Sequence, residues 1–285
     1  MLAEWLELPG AVDQIATWST ISGLDLATLG TTATAEEITD TAVTQPLVVA
    51  TTLLAFAELT KRGLPAQTVV AGHSVGEIAA YAIAGVISPD DAVKLAAVRG
   101  AEMAKACALE PTGMSAVLGG EEADVLTRLE ALELIPANRN AAGQIVAAGA
   151  VSALEKLAED PPAKARVRAL ATAGAFHTHY MSSALDGYAA AAAGVTASDP
   201  NTTLLSNFDG KPVTSAADAM EKLVAQLTRP VRWDLCTETM RNLNTTAIVE
   251  FPPAGTLAGI AKRELRGVAT HAVKTPADLE GLSGL

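Results

Sequence analysis

The sequence is poor in cysteine and in basic residues. Its 285 residues include two cysteines, Cys107 and Cys236, which are far apart and form no CxxC motif. This argues against a disulfide framework or a zinc knuckle, so no metal site is expected, and it fits a reducing compartment. Lys and Arg number 20 against 32 Asp and Glu, which gives a net charge of −12. Such a chain has no general attraction for a phosphate backbone, so nucleic acid is not an expected partner.

The sequence also lacks a long apolar run. Its most apolar stretch, from Leu47 to Ala57, is interrupted by Thr51 and Thr52, and it is shorter than the ~20 residues that cross a membrane. The N-terminus, from Met1 to Glu7, carries acids where a signal peptide carries bases. We therefore expect a cytoplasmic protein that has no membrane partner.

What the sequence does contain is an alternation of strand-like and helix-like segments. A helix is predicted from Pro46 to Arg62, followed by a β-rich run from Thr68 to Ala71 and a helix that starts near Val75. Ser88 can cap a further helix that runs to about Cys107. The alternation predicts an α/β fold.

The pattern changes between residues 113 and 177. Two predicted helices alternate there with four predicted strands in the order β-α-β-β-α-β, which is the ferredoxin-like order. We expect one of these strands just before Asn138. The sequence thus predicts a small ferredoxin-like α+β subdomain at 113–177, inserted into a large α/β domain formed by 1–112 and 178–285.

A GxSxG pattern stands between the β-rich run and the following helix. It reads Gly72-His73-Ser74-Val75-Gly76. A strand that turns sharply into a helix exposes the central serine at the strand end, and the glycines permit the tight turn. The first N–H groups of the helix, Val75 N–H foremost, can stabilise an oxyanion. Ser74 is therefore the predicted nucleophile.

A serine hydroxyl needs a base that accepts its proton. The segment from Gly174 to His179 offers His177 and His179, and the residues alone favour neither. Arg99 shares a helix face with apolar residues, so its charge requires a partner. That partner is either a core carboxylate or the carboxylate of a substrate.

Taken together, these motifs resemble one family. The chain is similar to the malonyl-CoA:acyl carrier protein transacylases of bacterial fatty acid synthesis, and in particular to actinobacterial members. The resemblance covers nearly the whole chain and rests on these motifs in this order: Gly72 to Glu77, Val98-Arg99-Gly100, Ala137 to Asn140 with Gly143-Gln144, Ala175-Phe176-His177, Gln226-Leu227 before Pro230-Val231, and Pro253-Ala254-Gly255.

The resemblance implies a hydrolase-like α/β domain with a parallel sheet and a ferredoxin-like α+β inserted subdomain, and it implies a role for each matching residue. Ser74 would carry the malonyl group and His177 would be its base, oriented by the backbone carbonyl of Gln226. Arg99 would pair with the malonyl carboxylate. The remaining substrate-binding candidates are His73, Asn138, Asn140 and Phe176, and the bulk of Phe176 would disfavour a methyl branch on the acyl group. The implied reaction moves malonyl from malonyl-CoA to acyl carrier protein, with no cofactor, in an enzyme expected to be a monomer.

One departure from the family pattern concerns the N-terminus. Family members begin with a core strand and a Gly-Gln-Gly-x-Gln loop that supplies a second oxyanion contact, and we expect this chain to lack both. A serine hydrolase and a non-catalytic module that binds acyl carrier protein therefore remain as alternatives.

Overall fold

A computed structural model describes residues 1–63, 68–282 and 285. Within these residues the α-helices are α1 Ala11–Ser22, α2 Leu26–Thr31, α3 Thr41–Lys61, α4 Gly76–Ile83, α5 Pro89–Cys107, α6 Glu122–Ala131, α7 Val151–Glu159, α8 Leu185–Ala193, α9 Ala216–Ala225, α10 Trp233–Asn242 and α11 Thr256–Glu264. The strands are β1 Val69–Val70, β2 Thr112–Gly119, β3 Ile135–Ala141, β4 Gln144–Ala150, β5 Ala165–Ala169, β6 Thr203–Leu204, β7 Val231–Arg232, β8 Ala247–Glu250 and β9 Ala269–Ala272. Short 3-10 helices cover Trp5–Glu7, Glu37–Thr39, His179–Ala184, Gln226–Thr228 and Pro276–Leu282.

Helix α3 begins earlier than the sequence predicts. Asp40 caps it by accepting a hydrogen bond from the Ala42 N–H, so Pro46 lies inside the helix rather than at its start. By length and composition α3 could cross a membrane, but half of its most apolar window is buried within the protein. It packs closely against α5 and α4, which is typical of a core helix.

The predicted start of α5 is confirmed. The Ser88 side chain accepts a hydrogen bond from the Asp91 N–H, and Pro89 occupies the first turn. With its start fixed in this way, α5 buries one apolar face against α3, and Arg99 lies on that buried face.

The small sheet has the strand order β5-β2-β4-β3-β7. Among its first four strands each neighbouring pair is antiparallel, and the order of these strands is that of a ferredoxin-like unit. Helices α6 and α7 cover one face with a small apolar core of their own. The strand expected before Asn138 in fact contains that residue, because β3 continues to Ala141 and joins β7 in parallel at Asn138 and Arg139. The proposed domain boundaries remain a prediction.

The rest of the chain is a mixed α/β body with parallel strand pairs, as the fold-class prediction stated. Strand β1 pairs in parallel with β6, and β8 pairs in parallel with β9. The largest apolar core joins the N-terminal helices to α3, α4, α5, α8 and α9. Strand β1 therefore ends against a rigid helical layer, and this fixes the position of the turn that follows it.

Candidate active site

The turn between β1 and α4 holds Ser74 in a left-handed conformation, with φ 53°. A non-glycine residue rarely adopts this conformation unless its surroundings impose it. Gly72 is required here, since a Cβ at that position would lie 2.0 Å from the Gly76 carbonyl oxygen. A Cβ at Gly76 would meet no heavy atom within 4 Å, so only Gly72 is required by close packing.

His177 is the histidine that contacts Ser74. Its Nε2 lies 2.7 Å from Ser74 Oγ, and its Nδ1 lies 2.9 Å from the backbone oxygen of Gln226. A carbonyl can only accept, so Nδ1 carries the proton and Nε2 presents its lone pair to the hydroxyl. His179, the alternative base, is exposed and stacks on Tyr180. His177 also has a left-handed backbone, with φ 60°.

Burial, and after it the nearby charge of Arg99, lowers the pKa of His177 to about 3. The hydrogen bond to the Gln226 carbonyl opposes this effect but does not outweigh it. The imidazole is therefore neutral near pH 7, which is the form a general base needs.

The Val75 N–H is placed to serve an oxyanion. Val75 is the residue before α4, and its N–H donates no hydrogen bond to any of residues 1–63, 68–282 and 285. By contrast, the Ser74 N–H donates to Asn207 Oδ1 at 2.8 Å. Of these two amides, the one at Val75 can therefore stabilise charge that develops on a substrate carbonyl.

Arg99 is 1% exposed and has no carboxylate partner within the described part of the chain. Its two terminal nitrogens donate to side-chain oxygens of neutral amides, at 2.6 Å to Gln45 and 2.7 Å to Gln226. Its Nε has no partner. The sequence left two partners open for Arg99, a core carboxylate or a substrate carboxylate. Among the described residues, no core carboxylate is in direct contact with it. A buried guanidinium held by neutral groups is suited to an incoming carboxylate.

The turn from Gly72 to Gly76, here called the elbow, is joined to the small sheet by a contact between His73 and Asn140. His73 Nε2 lies 2.8 Å from Asn140 Oδ1, and its ring meets Trp233 edge to face at 5.6 Å between centroids. Burial lowers the pKa of His73. Asn138 is buried two residues earlier on β3. Strand β3 therefore brings Asn140 to His73, and the role of Asn138 remains a prediction.

Phe176 lies next to His177 in the chain and packs into the apolar interior. It packs against a small apolar cluster on the sheet face opposite α6 and α7, which includes Met114, Val146 and Ala148. Its ring is partly buried and directly precedes His177. Its role in selecting the acyl group remains a prediction.

Three residues of this site have no role in the sequence-based prediction: Gln45, Glu77 and Asn207. Glu77 belongs to the elbow motif, but no local feature of the sequence distinguishes a buried acid from the exposed acids usual in a first helical turn. Gln45 and Asn207 are brought to the site by α3 and by the loop after β6. Only their tertiary contacts reveal them.

The pKa of His177 predicts how stability depends on pH. The unfolded histidine takes up a proton below about pH 6.5, whereas the folded one does so near 3. The free energy of unfolding should therefore fall as pH falls through this range, by about 2 kcal/mol at pH 5.

His177→Gln removes this titration, so wild-type stability should decline relative to His177→Gln between pH 8 and pH 5 in urea unfolding. His179→Gln, which removes a histidine from the same segment, is the matched control. If the difference in free energy of unfolding between wild type and His177→Gln did not change with pH, the prediction would be contradicted.

An elbow serine, a neutral histidine base and a helix-terminal oxyanion donor define a serine-dependent acyl-transfer site. The acyl transferase domain family matches residues 15–278, and the chain belongs to that family.

Comparison with individual relatives narrows the family further. The chain is 79% identical over 290 residues to the malonyl CoA-acyl carrier protein transacylase of Mycolicibacterium smegmatis, with 100% of both sequences covered. Its structure is similar to that of MCAT from Mycobacterium tuberculosis, with TM-score 0.97 and 73% identity over 99% of this chain and 94% of that one. It also resembles the malonyl-transacylase PlMCAT, solved in complex with the type II PKS acyl-carrier protein AntF, with TM-score 0.94 and 28% identity over 100% and 94% of the two chains. The resemblance drawn from the motifs is therefore confirmed: within its family, the chain groups with the malonyl CoA-acyl carrier protein transacylases.

Proposed function

We propose that the chain transfers a malonyl group from malonyl-CoA to the phosphopantetheine thiol of acyl carrier protein, through a malonyl ester on Ser74. The observation that carries this proposal is the 2.7 Å contact between Ser74 Oγ and His177 Nε2. Nearby lies the buried Arg99 guanidinium, which has no anionic partner in direct contact among the residues that the structure describes. The reacting pair accounts for acyl transfer, and the guanidinium accounts for the choice of a carboxylated acyl group.

In the first half reaction, the Ser74 hydroxyl attacks the thioester carbonyl while His177 accepts its proton. The Val75 N–H stabilises the oxyanion that forms. The tetrahedral intermediate collapses, the carbon–sulfur bond breaks, and the thiol of coenzyme A leaves with the proton held by His177. Coenzyme A thus enters as part of a substrate and not as a cofactor.

In the second half reaction, the carrier protein thiol gives its proton to His177 and attacks the malonyl ester. Ser74 leaves and recovers the proton, so the enzyme returns to its starting state. Water must be kept from the malonyl ester on Ser74, and we propose that the narrow space between the elbow and the small sheet excludes that water. We further propose that the enzyme works as a cytoplasmic monomer in fatty acid synthesis.

Arg99 and Phe176 would select the acyl group. An acetyl group leaves the guanidinium without its anion, and an unpaired buried charge discriminates more strongly than a difference of one methylene. The ring of Phe176 would crowd an α-methyl branch. We propose that Asn138, Asn140 and His73 line the acyl-thioester side of the same space.

The test follows radiolabelled malonyl from malonyl-CoA in the presence and absence of holo acyl carrier protein. The expected result is rapid label on the protein, followed by transfer to the carrier protein, with little free malonate. Steady release of malonate at the same rate without the carrier protein would instead identify a hydrolase. No label on the wild-type protein would indicate a module that binds but does not catalyse.

A further inference from the structure

A buried carboxylate lies directly beneath the serine elbow and has no role in the chemistry described above. Glu77, on the first turn of α4, is 0% exposed. Its Oε1 accepts a hydrogen bond of 2.6 Å from the Asn207 N–H, and its Oε2 accepts one from Gln226 Nε2. A carboxylate in such surroundings is costly for the fold, and burial raises its pKa to about 7.

Both partners of Glu77 hold the elbow. Asn207 accepts from the Ser74 N–H through Oδ1 and donates to the Gly72 carbonyl at 2.7 Å through Nδ2. Gln226 Nε2 also donates to the Ser74 carbonyl at 3.1 Å. The strained turn is therefore clamped from both sides by residues that Glu77 orients.

Gln226 contributes to the site in two separate ways. Its backbone oxygen orients His177, and its side-chain oxygen receives the hydrogen bond from Arg99. The side-chain amide thus lies between the Arg99 guanidinium, which can only donate, and two oxygens that accept from Nε2, those of the Glu77 carboxyl group and the Ser74 carbonyl. This permits one orientation of the amide, with Oε1 towards Arg99 and Nε2 towards Glu77.

We propose that Glu77 is a positioning residue that sets acyl selectivity, because its carboxylate fixes the amide of Gln226 in the orientation that holds the Arg99 guanidinium ready for a substrate carboxylate. The inference rests on the proposed function and assigns the control of its selectivity to a residue that touches neither substrate nor nucleophile.

Glu77→Gln keeps the size of the side chain but removes this constraint. An amide at position 77 has one oxygen for two donors, Asn207 N–H and Gln226 Nε2, so one of them loses its acceptor. The Gln226 amide is then held on its Nε2 side by the Ser74 carbonyl at 3.1 Å and no longer by a carboxylate. It can turn its own N–H groups towards Arg99 more readily, which displaces the guanidinium. Malonyl transfer should suffer more than acetyl transfer, since only malonyl uses Arg99.

The experiment measures the rate at which malonyl-CoA and acetyl-CoA acylate Ser74, and takes their ratio as the selectivity. Glu77→Gln should lower the ratio at least about 10-fold, and Glu77→Asp, which keeps the charge, should retain more of it. Gln226→Met removes the side-chain amide but keeps the backbone carbonyl. Since Glu77 acts through that amide, the double variant that combines Glu77→Gln with Gln226→Met should be no less selective than Gln226→Met alone. Glu130→Gln, an exposed acid on α6, is the control.

Two results would overturn the inference. One is a folded Glu77→Gln variant, judged by its thermal midpoint, with the wild-type ratio. The other is a double variant whose loss of selectivity is the product of the two single losses. If Glu77→Gln does not fold, Glu77→Asp and Gln226→Met decide the matter, and wild-type ratios in both would refute it. A wild-type protein that takes no malonyl label refutes the proposed function itself, whereas a wild-type preference for malonyl that Glu77→Gln keeps refutes only the role of Glu77.

Discussion

Ser74→Ala should abolish the covalent malonyl-enzyme and reduce malonyl transfer by at least about 10⁴-fold. The alanine leaves His177 and the Val75 N–H in place but removes the atom that forms the ester. The Cys236 thiol is a poor substitute, because it is buried and burial raises its pKa, so it offers little thiolate. Covalent label is measured after denaturation, with radiolabelled malonyl-CoA as the donor.

The matched control for this experiment is Ser182→Ala. Ser182 is an exposed serine on the 3-10 helix that follows His177, and its hydroxyl donates to the His179 carbonyl. This variant should keep full label. Label that persists in Ser74→Ala would place the acyl group on another residue and would remove the elbow from the mechanism.

Arg99→Gln should reduce the rate of malonyl transfer by about 10²- to 10³-fold, which is the usual effect of removing one partner from a buried charge pair. It should also raise the rate with acetyl-CoA, because the buried charge that an acetyl group cannot neutralise is gone. Glutamine keeps hydrogen-bond donors for the oxygens of Gln45 and Gln226, so the surrounding network retains a partner. Rates of Ser74 acylation by the two thioesters are compared directly.

The gain with acetyl-CoA is the more informative half of this prediction, since a misfolded protein would lose both activities. Arg128→Ala serves as the control. That residue pairs with Asp160 at 2.9 Å on the surface of the small subdomain, so it tests the loss of a cation away from the site. Unchanged malonyl transfer in Arg99→Gln would restrict Arg99 to a structural role.

The position of Ser74 could be predicted because its signal is local, whereas the choice of His177 over His179 depended on the family resemblance. A glycine two residues before Ser74 and a helix directly after it follow from the backbone geometry that an elbow requires. The ferredoxin-like order followed from the alternation of short strands and helices. Helix α5 was located by Ser88, because a side-chain cap acts on its own turn.

The supporting residues could not be predicted, and the reason is physical. Glu77 looks like an ordinary acid in a first helical turn, and only the packing of α4 against the loop after β6 makes it a buried acceptor. Gln45 stands next to Pro46, a residue typical of a helix start, yet the helix begins earlier because Asp40 caps it. Strand β7 is two residues long and has no periodicity to detect. Each of these features depends on a partner distant in the chain.

The pairing of β3 with β7 has a consequence for how the enzyme handles two bulky substrates in succession. Strand β7 follows Gln226 by only a few residues, and it forms the last strand of the sheet that carries Asn138 and Asn140. The small subdomain is therefore bonded through its sheet to the segment that orients the catalytic histidine. It cannot swing away as a lid without breaking that ladder. The pantetheine arms of coenzyme A and of the carrier protein would then reach Ser74 in turn beside a sheet that stays in place, without the small subdomain opening and closing between the two half reactions.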